Sequence, residues 1–201
     1  MSKSHRLFLL WVLTVVTSFP AQARADEELL PRDYKQISQN GKYVFVMLAP
    51  EKRGLFGLLK FYEENKELRR QYAVSGLYHN KGSSAPLWTV GWYADKVYVS
   101  DDGKHLIRIG PWPRVWEDKD LEQGGPALQQ PAVGFYSEGK LLKGYAIGDL
   151  IVNPKQLPQI VSHFQWIDRI FFDDAAGKLT ITTHDQQELF FDVHTGELAR
   201  K

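Results

Sequence analysis

Cysteine is absent from all 201 residues, so neither a disulfide nor a thiolate metal site is available and stability has to come from buried apolar surface. Neither sign of charge dominates, with 25 Lys and Arg against 24 Asp and Glu. That balance gives no basic footprint for nucleic acid or anionic lipid. The apolar run Leu7 to Phe19 has 13 residues, short of the roughly 20 that a membrane-spanning helix requires. Complete catalytic spacings are missing as well. There is no Gly-x-Ser-x-Gly elbow, no His-Glu-x-x-His pair and no Gly-rich phosphate loop followed by Lys and Ser or Thr. No catalytic residue, cofactor or metal site is therefore assigned from the sequence.

The first 25 residues read as an export signal. A basic "MSKSHR" precedes the apolar run, and "AQARA" ends with Ala23 and Ala25, a small-residue cleavage pattern that would leave Asp26 as the new N-terminus. An uncleaved anchor is the competing reading. Loss of Lys3, Arg6 and Arg24 reduces 25 basic residues to 22 against 24 acidic ones, a formal charge of −2. Without a cysteine after the cleavage site no lipoprotein anchor is expected. The expectation is a periplasmic or secreted product, free of the membrane after cleavage, with residues 26–201 forming a single β-rich domain.

Eight short β-branched and aromatic runs bounded by Gly, Asp, Asn or Pro point to an all-β fold: residues 43–48, 96–100, 105–109, 133–136, 141–147, 169–172, 179–183 and 189–193. "SDDGK", "SEGK" and "DDAAGK" supply hairpin turns, Asp bonding nearby backbone N–H groups and Gly accepting positive φ. "YVFVML" is apolar on both faces, so its sheet should be covered on both sides. "GLYHNKG", "GFYSEG" and "LFFDVHTG" each set an aromatic strand before a Gly turn, with "YVFV", "KVYV" and "RIFF" as upstream partners. These antiparallel β-meander repeats predict either a propeller-like arrangement or an open stack of small sheets, with a degenerate fourth unit at Leu55 to Tyr72 as one option. One or two short helices are expected, near 63–72 and from Pro154 with Asn153 as cap. Residues 111–131, rich in Pro and Gly, read as a long loop and the first place to look for a binding surface.

The phrases "PLWTVGWYADKVYVSDDGKHLIRIGPWP", "VSHFQW", "LTITT" and "FDVHTGEL" resemble a group of uncharacterised secreted bacterial proteins. The resemblance implies export and a β-rich domain and brings no activity. "DDGK", "TGEL" and the hairpin spacing are also similar to β-propeller blade repeats, but the Trp-Asp dipeptide of the best-known blades is absent.

Binding candidates are Trp112 and Trp116 in the long loop and Trp92 near a strand end, whose flat faces suit a sugar ring or an extended peptide, together with His163. Core packing is the competing role for each Trp. Alternate acids Asp118, Asp120 and Glu122 have calcium-loop spacing, but Gly124 falls one position late and Gln129 stands where a bidentate Glu belongs. The leading expectation is an exported β-domain that binds a protein, peptide or glycan partner. The alternative is a periplasmic metal-assisted hydrolase using His163 or His105 with Asp101 or Asp173.

Overall fold

The computed structural model describes residues 30–54, 59–115, 117–122, 124–160 and 163–200. Strands β1 (Tyr34–Ile37) and β2 (Tyr43–Met47) form the first hairpin. An excursion follows through the ribbon β3 (Arg53–Gly54) and β4 (Leu59–Lys60) and the helix α1 (Lys66–Gln71), after which β5 (Gly76–His79) and β6 (Trp88–Thr89) complete a four-stranded antiparallel sheet. The second sheet is β7 (Lys96–Val99), β8 (His105–Ile109), β9 (Pro131–Ser137) and β10 (Lys140–Ala146). It is followed by α2 (Ile147–Leu150) and the ribbon β11 (Gln159–Ile160) and β12 (His163–Phe164). The third is β13 (Ile167–Asp173), β14 (Lys178–Thr183), β15 (Glu188–Asp192) and β16 (Leu198–Arg200). The protein is thus an all-β meander with two short helices. The described residues contain three four-stranded sheets, fewer than the four that close a ring. In place of a fourth unit, the described part of residues 55–72 forms β4 and α1.

Period-two alternation decides what each sheet meets. Phe45, Met47 and Leu77 of the first sheet pack on Val97, Val99, Leu106 and Tyr136 of the second. The opposite face of the second sheet, with Ile107, Ile109, Val133 and Phe135, packs on Leu179, Ile181, Leu189, Phe191 and Val193 of the third. Val44, Val46 and Tyr78, on the far face of the first sheet, are covered by Leu68 and Tyr72 of the α1 region. The apolar doubling of "YVFVML" therefore has its predicted cause. The outer face of the third sheet stays open: Phe171, Thr180, Phe190 and Ala199 lie in one cross-strand row, and Phe171 is 65% exposed.

The turn aspartates do more than reverse the chain. Asp101 Oδ1 accepts the Asn40 backbone N–H at 2.7 Å, the Asp101 carbonyl accepts Asn40 Nδ2 at 2.9 Å, and Asp174 Oδ2 accepts the Asp101 N–H at 2.5 Å. One polar chain thus runs through the first hairpin turns of all three sheets. Asn40 marks "SQNGK" as the counterpart of "SDDGK". Consequently "YVFV" is the second strand of its sheet, whereas "KVYV" and "RIFF" are first strands. The true first strand, β1 "YKQI", has no apolar alternation because three of its four residues are exposed.

Of the two expected helices, the one near 63–72 forms as α1 and the one at Pro154 is shortened. Asn65 Oδ1 caps α1 by accepting the Leu68 N–H at 3.0 Å, a capping contact of the usual kind. At Pro154–Gln156 only a 3-10 turn forms, and the Asn153 side chain makes no capping bond.

Candidate functional site

The described part of residues 111–131 is built of small pieces. Gln130 acts as a surrogate strand partner: its Oε1 accepts the Arg114 N–H at 2.9 Å, and its Nε2 donates to the Arg114 carbonyl at 2.6 Å and the Ala127 carbonyl at 3.1 Å. Two 3-10 turns follow, Asp118–Leu121 and Pro126–Gln129, and Val115, Leu121, Ala127 and Leu128 are buried in the core between the second and third sheets. Asp120 is spent on the first of these turns, its Oδ2 accepting the Glu117 N–H at 2.9 Å.

Beside the start of this segment the Phe164 N–H donates to the Pro113 carbonyl at 3.2 Å, which draws β12 against Trp112. The result is a cleft of about 350 Å³ lined by Asp95, Ile109, Trp112, His163, Gln165 and Trp166, among others. The Trp112 and His163 rings lie 4.4 Å apart at a tilt of 47°. His163 is 2% exposed, yet neither of its ring nitrogens has a hydrogen-bond partner among the described residues. A buried polar group left in that state costs about 1–3 kcal/mol.

The sequence candidates separate in space. Trp112 and His163 share the cleft, and Trp166 forms part of its wall while being 4% exposed. Trp92 lies elsewhere, packed against Phe45 and Tyr136 with the Arg108 guanidinium 4.9 Å from its ring. Trp116 falls outside the described residues, as do Ala25 and Asp26 of the expected cleavage site. Among the described residues no helix is long and apolar enough to cross a membrane.

A second constellation sits at the other end of β8, at the tight turns. Asp102 Oδ1 accepts the N–H groups of Lys104 at 2.7 Å and His105 at 3.0 Å, while Oδ2 lies 2.6 Å from His105 Nδ1. Burial pushes the Asp102 carboxyl up, but these three hydrogen bonds and the His105 charge together bring it down to about 2. His194, from the turn after β15, places its Nδ1 3.3 Å from His105 Nδ1. His105 thus pairs with Asp102. Asp101 is held in the polar chain described above, and Asp173 accepts the Ala176 N–H at 3.0 Å. Residues 102, 105 and 194 have no legible spacing in sequence, and only the face shared by His105, Ile107 and Ile109 hints that His105 looks toward another sheet.

Comparison of the chain with protein-family models, with curated proteins and with solved structures gives no match.

Proposed function

We propose that the protein is an exported binding module that seats a glycan chain in the cleft between Trp112, His163 and Trp166. His163, buried beside the Trp112 ring with no hydrogen-bond partner among the described residues, carries this reading. An indole face packs against the C–H face of a sugar ring, and a polar group in the same cleft selects a hydroxyl. Asp95 and Gln165 add polar atoms at the lining. The absence of any complete catalytic spacing in the sequence favours recognition over turnover.

The test is binding of the purified protein to a panel of bacterial envelope oligosaccharides, followed by calorimetry and tryptophan fluorescence. Trp112→Ala is expected to weaken binding by about 10-fold or more, since an aromatic anchor commonly contributes over about 1.4 kcal/mol. Its circular dichroism should match that of the parent protein. If no oligosaccharide binds, or if Trp112→Ala binds as well as the parent, the glycan assignment fails. Capture of extended peptides with the same Trp112 dependence would change the ligand class to peptide. Turnover of a substrate that is abolished by one His or Asp variant would favour the hydrolase alternative. Export is tested separately, by fractionation and N-terminal sequencing, where Asp26 is the expected first residue.

A further inference from the structure

Asp102, His105 and His194 meet where the second sheet abuts the third, and their ligand atoms converge on one small volume. Asp102 Oδ2, His105 Nδ1 and His194 Nδ1 all lie within 4.8 Å of one another. If the His105 Nδ1 proton is directed at Asp102, 2.6 Å away, it has little left to offer His194. If both rings carry their protons on Nε2, two lone pairs and a carboxylate point at one small volume, an arrangement that repels unless a cation occupies it. The rings are nearly perpendicular, at 86°, with centroids 4.7 Å apart.

We propose that these three side chains form a site for a divalent transition ion of zinc type, which clamps the second sheet to the third. Two ligands each about 2.0–2.1 Å from a tetrahedral ion are separated by about 3.3 Å, and the two Nδ1 atoms are 3.3 Å apart. The Asp102 oxygen has to swing outward by about 0.6 Å to reach the same spacing, and its side chain, 34% exposed, has room to do so. Two imidazoles and one carboxylate are a donor set that zinc accepts, with a fourth position left for water.

Asp102 and His194 are each held by their own turn before any ion arrives. Asp102 is fixed through Oδ1 by two backbone N–H groups. His194 is fixed because Asp192 Oδ1 accepts its backbone N–H at 2.8 Å and that of Thr195 at 2.9 Å. Gly177, with φ +61°, faces the other side of the His194 ring. A Cβ there would stand 2.8 Å from His194 Nε2, so only glycine leaves the ring in place. Such an ion would join parts of the chain 89 residues apart, which is the service a disulfide performs in exported domains and which a chain without cysteine has to obtain differently.

This inference is independent of the glycan cleft, because the two sites occupy opposite ends of β8. His105 is the first residue of that strand, whereas Ile109, which lines the cleft, is its last. Across five residues this is about 13 Å.

The experiment is zinc titration by calorimetry of the chelator-treated protein, with thermal unfolding followed in zinc and in EDTA. One equivalent of Zn²⁺ per chain and a higher Tm in zinc are expected. His194→Ala, on an exposed turn, should weaken uptake by at least about 10-fold and remove the Tm difference. His79→Ala, an exposed histidine that is not one of the three ligands, should leave both intact. X-ray absorption of the zinc-loaded protein should show two imidazole ligands. The proposal is overturned if the parent takes up no zinc, if His194→Ala and Asp102→Asn bind as tightly as the parent, or if His79→Ala alone abolishes uptake.

Discussion

Asp33 illustrates how one carboxylate organises the excursion between β2 and β5. Its side chain is fully buried. Arg69 reaches both of its oxygens, at 2.7 and 2.8 Å, while the N–H groups of Ala49 and Asn65 donate to it at 2.7 and 2.8 Å. Removing Asp33 leaves Arg69 with only the more exposed Glu51, 3.0 Å away, as acidic partner and strands the Ala49 and Asn65 N–H donors. Asp33→Ala is therefore expected to lower stability by about 3 kcal/mol in urea unfolding, and Asp33→Asn by less. Burial raises the Asp33 carboxyl, but Arg69 and the two N–H donors outweigh it and hold the group below the ordinary range. Asp102 is held down in the same direction. An unfolded Asp titrates near about 3.9, so both groups contribute their full stabilisation above that range and lose it as pH falls through their lower folded values. The contribution of these two carboxylates to the urea midpoint should be constant above about pH 5 and decline below about pH 4. Asp102→Asn should flatten the part of the fall nearest pH 2.

Among the elements, the hairpin β9–β10 has its turn set against a neighbouring sheet. Glu138 and Gly139 both have positive φ, 49° and 81°, the signature of a two-residue turn matched to strand twist. A side chain at Gly139 would also collide with the Thr89 carbonyl of β6 in the first sheet. Gly139→Ala should cost about 2 kcal/mol or more, from left-handed strain combined with overpacking. A Gly→Ala change at the open turn position Gly41, where no atom lies within 4 Å of the added carbon, should cost less, and paired thermal melts would check the order. Asp185 plays a comparable linking role. Its Oδ2 accepts the N–H groups of Val152 and Asn153 at 2.6 and 2.9 Å, tying the connection after α2 to the β14–β15 turn. "HDQQE" thus supplies a backbone anchor.

At the scale of the whole molecule the second sheet belongs to two cores at once, one shared with the first sheet and one with the third. Loss of packing on either face is therefore felt across the domain. Leu179→Ala in the third sheet, a fully buried position, is expected to cost about 2–5 kcal/mol. The unfolding transitions followed by circular dichroism and by tryptophan fluorescence should still coincide, because no sheet can leave without uncovering the second. Separate transitions would mean that the third sheet unfolds on its own.

Strand identity, the hairpin turns, the two-faced burial of "YVFVML" and the short helix at α1 were legible in the residues, because alternation and turn chemistry are local properties. Polar β1 was not, since an edge strand with three exposed residues carries no alternation to read. Trp112 and His163 were both candidates in sequence, but their meeting depends on the Phe164 to Pro113 hydrogen bond, and Trp92 was drawn instead into the packing between the first and second sheets. The chain by itself determined which segments extend and where they turn. Only the tertiary structure decided which turns abut, and so brought Asp102 and His105 to His194 and linked Asn40, Asp101 and Asp174. Those contacts depend on how whole sheets pack against one another, and sheet packing is set by the sum of many apolar contacts, which no spacing within a single segment encodes.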